Sequence, residues 1–156
     1  MERIITAMVA LLALNHLLYA IQNLFNLNQA YRFVAAVLSQ DERPLYPRSI
    51  MPPVRRPVLV WAGLFIIIAA EGAAGLTLAW GALSMFAASG TSAAAFARAS
   101  EWAILGCGMA LAIWFGVFLT LGAALFQMWQ TPSGQAAMGD AFRNGVFTGL
   151  VLLLMV

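Results

Sequence analysis

Three long apolar runs limit what this chain can fold into. They cover about residues 4–25, 58–86 and 102–129. Each is as long as the ~20 residues that a helix needs to cross the hydrocarbon core of a bilayer. The first would extend ~33 Å at the α-helical rise per residue. Composition then decides between a buried core and a membrane: 63% of the residues are hydrophobic and 9% charged. A soluble domain carries about 25% charged residues. A soluble enzyme, a disordered tail, a coiled coil and a disulfide-stapled module are all excluded, which leaves an integral membrane protein.

A fourth helix is expected over about 134–156, with Ser133 as its N-cap after Thr131-Pro132. It is less apolar, because Gln135, Asp140, Arg143 and Asn144 fall in its first half. Arg143 would have to reach the headgroups or pair with Asp140 three residues back. No small-residue cleavage site follows the first run, where the sequence reads Leu18-Tyr19-Ala20, so it is expected to span rather than to be removed as a signal peptide. Between the first two spans, residues 28–40 place Tyr31, Val34 and Leu38 on one face, as in a helix lying in the membrane interface. Pro44, Pro47, Pro52, Pro53 and Pro57 then keep the chain extended. The expected fold is a single all-α domain over residues 1–156. It is a polytopic four-helix membrane bundle with one amphipathic interfacial helix.

All eight basic residues are arginines. Arg32, Arg43, Arg48, Arg55 and Arg56 fall between the first two spans, whereas the second connection holds only Arg98. The positive-inside rule puts the loop 26–57 in the cytoplasm and both termini in the periplasm of a bacterial inner membrane. Arg43, Arg48, Arg55 and Arg56 are candidates for phospholipid headgroups. A net charge of +2, spread thinly, gives no footprint for nucleic acid.

Glu71 carries the sharpest chemical signal, because a carboxyl group near the middle of the second span is costly. It is either a clasp to a neighbouring helix or a group that handles a proton or a ligand. His16 and Asn15 sit near the middle of the first span, and antiparallel packing would put His16 at the depth of Glu71. The two could then satisfy each other. The third run repeats small residues every fourth position, at Gly108, Ala112, Gly116, Thr120 and Ala124, and the second adds Gly63 and Gly75. Such rows let helices approach closely in lipid, within a bundle or against a partner. Trp114 and Met109 read as packing residues. Cys107 and His16 are the only cysteine and histidine. No nucleophile–base pair, phosphate loop or metal motif is present, so no catalytic or metal-binding residue is expected. No cofactor is intrinsic, although His16 could contact a quinone, haem or pigment of a partner.

Two further stretches resemble a family. Asn23-Leu24-Phe25-Asn26 leads into Phe33-Val34-Ala35-Ala36-Val37-Leu38-Ser39-Gln40-Asp41. This is similar to a family stretch of Asn, Asp-Tyr, then Phe-Val-x-His-Val-Leu-Ser-Met-Asp. Gly122 with Phe126-Gln127-Met128-Trp129-Gln130 resembles a Gly-Gly-Glu-Trp-Phe-x-Met-Trp-Gln ending. Both stretches, with a mid-membrane Glu at 71, are similar to the bacterial small integral membrane proteins catalogued as domain of unknown function twenty-one sixty-five. Ala36, Asn26 and Ala124-Leu125 stand where that family carries polar groups. The resemblance implies a four-helix membrane scaffold and brings no activity with it. Two functions remain: an accessory subunit in a hetero-oligomeric membrane complex, foremost one of electron transfer (respiratory or photosynthetic), or a small proton-coupled transporter using Glu71.

Overall fold

The computed structural model describes residues 1–42 and 45–156, and all regular structure among them is helical. Helix α1 (Glu2–Phe25) turns at Asn26 into α2 (Leu27–Ser39). After a stretch whose described residues are non-helical comes α3 (Pro57–Ala88), opened by proline in its first turn. Proline fits there because the first-turn N–H groups have no helical acceptor. After a tight turn with Gly90 at φ +79°, α4 (Ala93–Leu111) starts under a Ser92 cap. It begins nine residues before the expected start at Trp102, so Arg98 is helical rather than in a loop. The expected helix over 28–40 is α2, and that over 134–156 is α5 (Pro132–Leu153). Its cap is Thr131 and not Ser133: the Thr131 hydroxyl accepts from the Gly134 N–H at 3.1 Å.

From Ala112 to Leu125 the helix continuing α4 changes to wider π-type turns. The Phe126 N–H bonds the Leu121 carbonyl and the Thr120 hydroxyl bonds the Phe115 carbonyl, both five residues back. Gln127, in a left-handed conformation, ends the run ahead of a short 3-10 turn at Met128–Gln130.

Three helical stretches are long and apolar enough to cross a membrane: Glu2–Phe25, Pro57–Ala88 and Ala93–Leu125. They pack antiparallel in sequence order around α3. A Cβ on Gly75 of α3 would lie 2.8 Å from the Leu17 side chain and 3.0 Å from its backbone nitrogen. One on Gly81 would lie 2.6 Å from the backbone nitrogen of Ala103, and one on Gly106 2.7 Å from Leu78. Glycine is thus what lets these backbones approach. The α5 helix runs back beside α4, Val151 packing with Ile5, Val9 and Cys107, and Ala141 against Trp114.

The non-helical segment before α3 is pinned to the end of the third span. Leu45 and Tyr46 donate their backbone N–H groups to Gln130 Oε1 at 3.0 and 2.9 Å. The Gln127 side chain donates to the Arg48 carbonyl at 2.8 Å, and the Ser49 hydroxyl to the Leu125 carbonyl at 2.6 Å.

Candidate functional site

The interior polar groups of α1 form one stripe. Asn15, His16, Tyr19 and Asn23 repeat at three- and four-residue spacings, which keeps them on one helical face. Between them they meet three partners, Asn144, Trp114 and Glu71. Asn15 donates from Nδ2 to Oδ1 of Asn144 on α5 at 2.9 Å. His16, fully buried, accepts at Nε2 from the Trp114 indole N–H at 3.2 Å, while its Nδ1 has no hydrogen-bond partner among the described residues. Tyr19 meets the Trp114 ring edge-on at 5.1 Å between centroids. Asn23 donates from Nδ2 to Oε2 of Glu71 at 3.0 Å.

Glu71 is 1% exposed. The expected contact between Glu71 and His16 does not form. Gly75 faces Leu17, and Glu71 lies one turn from Gly75 toward the start of α3, which in an antiparallel pair carries it ~6 Å further along α1. That brings it to Asn23. Sequence reasoning missed Asn23, which resembled interfacial polarity beside Gln22 and Asn26; an amide two turns beyond a buried histidine on the same face was the available signal.

Glu71 lines a cleft of about 400 Å³ between α1, α2, α3, the π-type segment and α5. Gln22, Asn26 and Gln29 line the side toward α2, with Tyr19, Phe33, Trp114 and Phe118 as aromatic walls. Asp140 of α5 also lines it and accepts from the Arg143 guanidinium, the pairing expected from their spacing. Volumes of ~300–1,000 Å³ with a few convergent polar groups are usual for small-molecule sites.

The row expected for helix packing divides in two. Gly75 packs tightly against α1, while Gly63 has only Val34 at 4.0 Å from its Cβ position. Gly108, Ala112, Thr120 and Ala124 are exposed and Gly116 is half-buried. A Cβ on Gly108 or Gly116 would meet nothing within 4 Å. That row therefore does not pack the bundle; Ala103, Gly106, Cys107 and Ala110 do, all fully buried or nearly so.

Of the arginines, Arg55 is ion-paired with Asp41, Arg48 and Arg56 are exposed, and Arg43 lies outside the described residues. Trp114 packs as expected, 2% exposed, and in addition serves as the donor to His16.

Long apolar helices around a buried polar stripe define an integral membrane protein. The chain belongs to the family of predicted small integral membrane proteins, DUF2165, whose model matches residues 2–156. No curated protein and no solved structure matches it.

Proposed function

We propose that the chain crosses the bacterial inner membrane four times and serves as an accessory subunit of a larger membrane complex, with an electron-transfer assembly, respiratory or photosynthetic, as the expected host. The observation that carries this reading is the small-residue row on α4 and the π-type segment, left bare on the outside. In lipid, association rests on close packing at such rows, because the tails are as apolar as leucine.

The fourth crossing is α5, whose 22 residues extend ~33 Å. The Asn15–Asn144 bond and the fully buried Thr148 support its place beside the other helices. The α2 helix is read as interfacial, although Tyr31 stacks on Trp61 at 4.6 Å, so part of its apolar face rests on α3 rather than on lipid. The arginine distribution supports a cytoplasmic loop 26–57 with periplasmic termini. Arg48, Arg55 and Arg56 are the described headgroup candidates with exposed side chains, Arg55 being ion-paired with Asp41. A partner's quinone, haem or pigment would be reached through the same outer face, since His16 is enclosed.

Purification of the tagged chain in a mild detergent, followed by mass spectrometry, tests the subunit reading. A stoichiometric set of membrane subunits is expected. A chain recovered alone or as a homodimer overturns it.

The second reading is a proton-coupled transporter, favoured by the placement of Glu71 in the cleft. Glu71→Gln should then abolish proton-coupled flux in proteoliposomes while the protein stays folded.

A further inference from the structure

We infer that the cleft at Glu71 binds an apolar organic cation: a protonated or quaternary amine, or a phosphonium, carried on an aromatic or alkyl body. The argument begins with charge. Among the described residues two carboxyl groups, Glu71 and Asp140, line the cleft and no arginine does. Asp140 has Arg143 as a counter-charge. Glu71 has the Asn23 amide as its hydrogen-bond partner, and no cation among the described residues pairs with it. An acidic group enclosed in a membrane protein is ordinarily matched by a partner cation. Here the cleft of about 400 Å³ lies against that carboxyl group.

The walls fit the same occupant. Tyr19, Phe33, Trp114 and Phe118 present four rings to the cleft. Aromatic faces attract cations within about 6 Å, most strongly where water is excluded. Leu64 and Ile67 supply an apolar surface for the rest of the molecule. An anionic or zwitterionic headgroup would find carboxyl groups and amides but, among the described residues, no basic side chain lining this cleft. The inference deepens the Glu71 reading and is independent of any partner complex: saturable binding without flux would keep it and sink the transporter.

The test uses the full chain in phosphatidylcholine nanodiscs, with tetraphenylphosphonium as probe and empty discs as the reference for partition into lipid. Saturable binding of one cation per chain is expected, while the isosteric anion tetraphenylborate, measured alone in separate samples, should show no saturable uptake beyond that of empty discs. Glu71→Gln should weaken it about tenfold or more, and Phe118→Leu should weaken it several-fold. If Glu71→Gln fails to fold by circular dichroism and gel filtration, Glu71→Asp together with Phe118→Leu decides. Uptake no greater than in empty discs, saturable binding of tetraphenylborate alone, or affinity unchanged in the folded variants overturns the inference.

Discussion

Asn23, near the end of α1, donates to the Glu71 carboxyl group in the middle of α3 at 3.0 Å. The bond joins a residue at the polar end of one span to the costliest side chain in the next. Removing the donor leaves Glu71 enclosed without its partner. Asn23→Ala is therefore expected to destabilise the protein by about 1–2 kcal/mol, the range of interhelical hydrogen bonds in membranes. Glu71→Gln keeps an oxygen for Asn23 and should cost less. Unfolding in bicelles or a thermal melt in detergent measures both. Equal stability of Asn23→Ala and the parent would contradict the pairing.

Trp114 gives a second comparison. It is packed against Ala74, Ala110, Ile113 and Ala141, and it supplies the His16 hydrogen bond. Trp114→Phe should cost about 1 kcal/mol for that bond plus a small packing loss. Trp114→Ala should cost about 3–5 kcal/mol through the cavity it leaves. The order of the two melting temperatures checks this; similar losses would mean that the ring is not a core element.

Glycines on opposite faces of the bundle should respond differently. Gly81→Ala forces a Cβ to 2.6 Å from the Ala103 backbone nitrogen, so α3 and α4 must separate. About 1–3 kcal/mol of destabilisation is expected. Gly108→Ala meets open space and should be neutral, or stabilising by up to about 1 kcal/mol through helix propensity. Gly108→Leu should leave the isolated chain folded and release a partner that docks on that row. Co-purification of the parent and Gly108→Leu chains measures the release, and retention of every partner by a folded variant would contradict the outer row as an interface.

Gln130 ties the non-helical segment to the third span through Leu45 and Tyr46. Gln130→Leu removes both acceptor contacts and should expose the segment around Arg48. Limited trypsin digestion of inside-out and right-side-out vesicles measures this. Faster cleavage at Arg48 is expected in inside-out vesicles, in keeping with a cytoplasmic loop; an unchanged rate would show that the segment is held by something other than Gln130.

The helices were legible because lipid demands long apolar runs, and the end of α1 and both ends of α3 fall within two residues of the expected bounds. The early start of α4 was hidden by Thr91-Ser92 and by Arg98, polar signals that resembled a loop although Ser92 caps a helix. The π-type turns left no mark, since the apolar run reads the same at any helical pitch. Glu71 stood out because a single carboxyl group interrupts such a run. Its partner did not, because pairing depends on the axial offset of α1 against α3, which Gly75 and Leu17 set by contact. The outward row left its use open for a related reason: small residues in sequence reveal which backbones can approach, not which face turns inward.

Chemical labelling of Glu71 in native membranes tests the central claim, that this carboxyl group is sheltered within the bilayer-embedded helices. A lipid-soluble carbodiimide and a membrane-impermeant, water-soluble one would be applied in parallel, with adducts mapped by mass spectrometry. The account predicts an adduct at Glu71 with the lipid-soluble reagent alone, while exposed Glu42 and Glu101 react with the water-soluble one from whichever side they face. Labelling of Glu71 by the water-soluble reagent as readily as Glu42 or Glu101 would contradict it.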